Sequence, residues 1–175
     1  MPGHVILSHG LNSGPDATKV TALAQVAQAL GWTHERPDYT AIDARGRLPD
    51  IHDRIALLRA RAEAVSGPLV LAGSSMGAFI SCLVSLDRPV RGLFLMAPPI
   101  GIEGFDRRFD AASVPTTVIH GWDDELIPAS DVMRWAQRRR DRLVMVDDGH
   151  RLAGHVEFAA EEFGRFLRAL PDIAR

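Results

Sequence analysis

The chain has one cysteine, Cys82, so an intrachain disulfide is excluded and the fold must stand on its buried core. Such sparing use of cysteine fits a reducing compartment, and a cytoplasmic location is expected. No apolar run approaches the ~20 residues of a membrane span. The opening stretch, MPGHVILSHG, has no basic segment before its short apolar run, so no secretory leader is expected. Neither sign of charge dominates: 20 basic residues face 22 acidic ones, a formal net charge of −2. That balance gives no electrostatic footprint for a nucleic acid or a membrane as partner. No spacing of His, Cys and acidic residues suggests a metal. Internal repeats and low-complexity segments are also missing.

What is present is globular. With 175 residues, 46% of them apolar, the chain can bury a real core without staples. No linker-like stretch divides it, so one domain spanning residues 1–175 is expected.

Short apolar runs alternate with longer amphipathic segments. The runs are His4–Leu7, Leu69–Ala72, Leu93–Met96, Thr116–Ile119 and Leu143–Val146. Each is apolar on both faces, as a parallel strand covered by helices must be. A sixth, more polar run at Thr33–Pro37 predicts an edge strand. Between the runs, helices are predicted over Thr18–Leu30, Leu48–Val65, Ser75–Leu86, Ala129–Arg139 and Val156–Leu170. Gly31 supplies a stop for the first, and Ser66-Gly67-Pro68 for the second. The alternation predicts an α/β fold, a doubly wound parallel sheet in three layers.

Ligands bind open α/β sheets at the edge beyond the strand C-termini. There the sequence gathers its chemistry in four loops: residues 8–14 (SHGLNSG), 73–77 (GSSMG), 120–128 (HGWDDELIP) and 147–150 (DDGH). The second matches G-x-S-x-G with Ser75 at its centre. Such a serine sits on a strained strand-to-helix corner, and side chains at the flanking glycines would clash in so tight a turn. An acid and a histidine follow it in chain order.

With ILSHG, GSSMG, HGWDDELIP and DDGHRL together, the sequence resembles the α/β-hydrolase superfamily over nearly its whole length. The resemblance implies a nucleophile at Ser75, an acid at Asp124 and a histidine at His150. It also implies an oxyanion hole from the N–H groups of Met76 and Leu11. Two departures stand out. The superfamily's usual first two strands are missing, and only Pro98–Ser113 sits where other members carry a lid or cap domain. A minimal, lidless hydrolase is implied.

Other residues compete for these roles. Ser74 is the rival within the elbow. Asp123 and Glu125 are rivals for the acid, with Asp123 better suited to capping the following turn. His155 falls where the last helix starts, which suits a surface or capping role. His9 and His120 precede the acid in sequence and are expected to bond backbone in their loops. The run Arg138–Arg140 with Arg142 closes a helix and is expected to be a solvated end. Cys82 is expected in the core.

The implied activity is a serine hydrolase cleaving small or short-chain esters or thioesters through an acyl-enzyme, with no cofactor. A shallow pocket is expected from Asn12, Pro98, Pro99, Ile100, Trp122 and Leu126. The expected partner is a small-molecule ester, with self-association left open. Two other readings stay open: a peptidase or amidase using the same triad, and a catalytically silent binding module that keeps the fold.

Overall fold

The computed structural model describes residues 2–171. Six strands form one parallel sheet in the order β2-β1-β3-β4-β5-β6. They are β1 (His4–Ser8), β2 (Thr33–Glu35), β3 (Leu69–Ser74), β4 (Gly92–Met96), β5 (Thr116–Gly121) and β6 (Arg142–Val146). The helices are α1 (Thr18–Ala29), α2 (Thr40–Asp43), α3 (Ile51–Ala64), α4 (Met76–Asp87), α5 (Ala129–Arg139) and α6 (Val156–Ala169). No helix among the described residues is long and apolar enough to cross a membrane.

The three layers follow from strand periodicity. Alternate residues of a strand point to opposite faces, and the central strands β3, β4 and β5 are buried at every position. Ile6, Leu69, Leu71, Leu93, Leu95 and Val118 face one core, closed by α3, α4 and α5 through Ile55, Leu58, Phe79, Leu83 and Trp135. Their neighbours Val5, Leu7, Val70, Ala72, Phe94 and Ile119 face the other, closed by α1 and α6 through Val20, Leu23, Phe163 and Leu167. Full burial of one such side chain is worth about 1.5–3 kcal/mol, so truncation at Phe94 or Phe79 is costly on either face.

The edge strand stops at Glu35, short of Pro37. The predicted second helix begins as a 3₁₀ turn at Leu48–Asp50 and turns α-helical at Ile51. Pro49 cannot donate a backbone bond in that turn, and Asp50 accepts from both the backbone and the guanidinium of Arg47. The short helix α2 was not legible: four residues carry no periodicity.

Residues 97–115 contain neither helix nor strand. Phe105 and Phe109 pack on Phe79 of α4, at centroid distances of 5.7 and 5.3 Å. The segment is therefore a strap over the α4 core. Arg139 is not a solvated helix end as the sequence suggested. It ties this strap to α5, donating to the carbonyls of Ala111 and Ala112 while lying over the Trp135 ring. Cys82 is fully buried in α4.

Candidate active site

The carboxyl ends of β1, β3, β5 and β6 bring the four polar loops to one edge. At the end of β3 the chain turns directly into α4 through Ser75, whose backbone sits at φ 52°, ψ −117°. That conformation is sparsely populated for any residue with a side chain. Packing enforces it. A Cβ on Gly73 would collide with the Gly77 backbone, and one on Gly77 would collide with the Ser8 carbonyl at the end of β1. The two glycines thus allow α4 to start pressed against β1 and β3, and Ser75 N–H donates to Met96 O of β4.

Three predicted residues meet here. His150 Nε2 lies 2.9 Å from Ser75 Oγ, and His150 Nδ1 lies 2.8 Å from Asp124 Oδ2. The ionised carboxylate can only accept, so Nδ1 carries the proton and Nε2 is left to accept from the serine hydroxyl. Asp124's side chain is fully buried, and His150's is nearly so. The second Asp124 oxygen, Oδ1, accepts from the N–H groups of Leu126 and Ile127 at 2.9 and 2.7 Å. The turn is capped by Asp124 itself, and not by Asp123, which is exposed. One carboxylate oxygen therefore holds the loop while the other faces the histidine.

The rival residues have other partners. Glu125 accepts from His150 N–H at 3.1 Å, pinning the histidine's backbone. That bond and one from its own N–H hold the Glu125 carboxyl below its usual value. His155 pairs with Asp148 at 2.8 Å, and Asp148 also accepts from the N–H groups of Gly149 and Gly154. This shapes the β6 loop that carries His150. Lys19 of α1 donates to the Arg151 carbonyl at 2.5 Å, tying the same loop to the far helix.

His9 and His120 bond backbone, as expected from sequence. His9 Nδ1 donates to Gly10 O at 2.8 Å, and its Nε2 accepts from Tyr39 N–H at 3.0 Å. His120 Nε2 donates to Ile127 O at 3.0 Å and stands 3.5 Å from Asp124 Oδ2. Burial lowers the pKa of both imidazoles.

Met76 is the first residue of α4, where a helix leaves its N–H groups unpaired and its dipole favours negative charge. Leu11 follows Gly10, which lies against the elbow: a Cβ there would be 3.5 Å from Ser75 Cβ. Asn12 has a positive φ of 54° and is exposed. Leu11, Trp122 and Leu126 are large apolar side chains left 50%, 53% and 65% exposed on the loops that surround Ser75. Pro98 and Pro99 are buried just past β4, and Ile100 is half-buried against the α3–α4 core. Among the described residues no group of three His, Cys, Asp or Glu is placed to hold a metal ion.

No protein-family model and no curated protein sequence matches the chain. Solved structures do. A protein from Xanthomonas campestris pv. campestris, described as a hydrolase of the alpha/beta superfamily, superposes with a TM-score of 0.93. It is 54% identical, over 96% of this chain and 99% of that one. The chain belongs to the α/β-hydrolase superfamily. More distant solved structures share the fold. Est1E from Butyrivibrio proteoclasticus has a TM-score of 0.76 at 17% identity, over 95% of this chain and 87% of that one. An alpha-beta serine hydrolase homologue from Coxiella burnetii has 0.69 at 24%, over 94% and 85%. For an α/β-hydrolase this sheet is small. It has six strands, all parallel, and an irregular strap after β4.

Sequence reasoning missed the supports of the site. Glu125 and Lys19 gave no signal, because their partners are backbone atoms distant in sequence. Arg54 did give one. It falls at a core-facing position of α3, between Ile51 and Ile55, where only an apolar residue fits the stripe.

Proposed function

We propose that the chain is a serine hydrolase that cleaves small or short-chain esters or thioesters through an acyl-enzyme on Ser75. The observation that carries this reading is the unbroken line Ser75 Oγ, His150 Nε2, His150 Nδ1, Asp124 Oδ2 on a strained elbow. A buried carboxylate, an imidazole in the accepting tautomer and a hydroxyl held within reach are what activation of a serine requires.

The steps follow from the donors and acceptors. Ser75 Oγ attacks the acyl carbon while His150 Nε2 takes its proton. Asp124 keeps the tautomer and stabilises the imidazolium that forms. The N–H groups of Met76 and Leu11 receive the developing oxyanion, and one such donor is worth roughly 3 kcal/mol. His150 Nε2–H then protonates the departing alkoxide or thiolate. Water, deprotonated by the same nitrogen, attacks the acyl-enzyme and releases the acid with Ser75 restored. No step calls on a cofactor.

Small substrates are favoured by the open surroundings of Ser75. Leu11, Trp122 and Leu126 offer apolar faces, while the strap's Phe105 and Phe109 are spent on Phe79. Labelling with a fluorophosphonate probe and sequencing of the modified peptide test the reading. An adduct on Ser75 alone is expected. An adduct on Ser74, or none on folded protein, overturns it.

A further inference from the structure

Arg54 is only 1% exposed, although it carries a full charge into the apolar stripe of α3. A charge so placed must be fully paired. Asp43, at the end of α2, takes it in a fork: Nε to Oδ1 and Nη2 to Oδ2, both at 2.6 Å. The Tyr39 ring lies against the guanidinium at 4.5 Å. Held flat in this way, Arg54 aims its remaining donors at the loop after β1. Nη1 donates to His9 O at 3.0 Å and Nη2 to Gly10 O at 3.1 Å.

The Gly10 carbonyl therefore accepts twice, from Arg54 and from His9 Nδ1–H. It belongs to the same peptide unit as the Leu11 N–H. In a trans peptide the two point in opposite directions, and no described peptide bond is cis. Turning the carbonyl to Arg54 turns the Leu11 N–H away from it. Gly10 itself rests against the elbow at Ser75. A cationic donor on the carbonyl also polarises the amide and makes its N–H a stronger donor.

We propose that Arg54 is a positioning residue of the oxyanion hole: locked by Asp43 and Tyr39, it orients and polarises the Gly10–Leu11 peptide for the transition-state oxyanion. The proposal rests on the serine-hydrolase reading of Ser75. Its role is distinct from pairing with Asp43, which a lysine could partly keep. An ammonium cannot reproduce the fork to Asp43 and reach both carbonyls at once.

The test is Arg54→Lys, with active sites counted by fluorophosphonate titration. Removing an oxyanion donor costs 10²–10³ in kcat, so loosening one should lower kcat about 10- to 100-fold. KM for p-nitrophenyl acetate should change little. The inhibition constant of a trifluoromethyl ketone, which forms an oxyanion on the serine, should rise by about the factor that kcat falls. A purely structural role would lower the melting temperature and the count of active sites, and leave kcat per site and the ketone constant unchanged. That result overturns the proposal. If it occurs while the wild type is labelled at Ser75, the hydrolase reading stands alone. A wild type that is not labelled fells both. Should Arg54→Lys not fold, the wild-type protein decides: its Leu11 amide proton should move downfield when the ketone adduct forms, and an unmoved resonance overturns the assignment.

Discussion

Asp124 faces His150 Nδ1 with one carboxylate oxygen at 2.8 Å and holds its own turn with the other. The two jobs can be separated. In Asp124→Asn the amide oxygen can still accept from Leu126 and Ile127, so the loop should keep its shape. The NH₂ group then faces His150 and drives the imidazole into the other tautomer, whose Nε2 cannot take the serine proton. Esterase kcat should fall about 10⁴-fold, while the unfolding free energy measured in urea changes by no more than about 1 kcal/mol. Asp123→Asn changes an exposed side chain, so its stability should stay within about 0.5 kcal/mol of the wild type and its activity should remain. A severe Asp123→Asn with an active Asp124→Asn would reverse the assignment.

The elbow stores strain that a mutant can release. Ser75 at φ 52°, ψ −117° is held by packing in a region costing a residue with a Cβ roughly 1–3 kcal/mol. Ser75→Ala and Ser75→Gly both lose the hydroxyl and its bond to His150, so comparing them isolates the strain. Glycine gives back part of the gain through its freer unfolded chain, worth about 0.5–1 kcal/mol. Urea unfolding should find Ser75→Gly more stable than Ser75→Ala by about 1 kcal/mol, with both inactive. A glycine variant less stable than the alanine one would mean the corner is relaxed.

The sheet was legible because period-two and period-3.6 patterns survive in one dimension. Leu69–Ala72 and Leu93–Met96 are apolar on both faces, and only a parallel sheet under two helical layers accommodates that. Ser75 was legible because it stands at the centre of G-x-S-x-G after an apolar run, and Asp124 and His150 because the loops that carry them resemble those of the α/β-hydrolases. Roles set by contacts between distant loops were not. Nothing local says that Glu125 will hold the His150 backbone, that Arg139 will fasten the strap, or that Asp124 rather than Asp123 will cap its turn. Arg54 lies between these cases: its place in the α3 stripe carries a signal of burial that the sequence reading passed over, but nothing local says that Asp43 and the Gly10 carbonyl will be waiting.

Burial of histidines sets a pH dependence of stability. His9, His120 and His4 all have pKa values below the ordinary 6.5, with desolvation the largest cause. Between the lowered folded value and 6.5 the unfolded chain binds more protons, so stability rises with pH there. The contribution is fully present above about 6.5 and is lost as pH falls below it. Carboxylates act lower. Asp50 is held below its usual 3.8 by the Arg47 guanidinium, and Asp148 by His155, so their contribution is lost only near and below that value. The melting temperature should therefore decline in two stages, the first beginning as pH falls below about 6.5. His9→Gln and His120→Gln should each flatten the first stage, whatever they do to absolute stability. An unchanged slope in both variants would assign it elsewhere.

Acyl-chain length tests the open pocket. Leu11, Trp122 and Leu126 leave half or more of their surface in water around Ser75, and Phe105 and Phe109 are already committed to Phe79. A methylene that finds an apolar wall gains about 0.8 kcal/mol, roughly fourfold in kcat/KM, and one left in water gains almost nothing. Three side chains on short loops cover only the first few carbons. Across p-nitrophenyl esters, kcat/KM should rise over about two to six carbons and then level off or fall. Trp122→Ala should flatten the rise while sparing turnover of the acetate, as the proposed place of the indole along the acyl chain, away from the reacting carbonyl, requires. No interfacial activation is expected, since the strap is packed on α4 and has no lid to open. A kcat/KM that keeps climbing to long chains would place a hydrophobic groove beside Ser75 that this fold does not supply alone, and a second copy of the chain would then be the first place to look for its other wall.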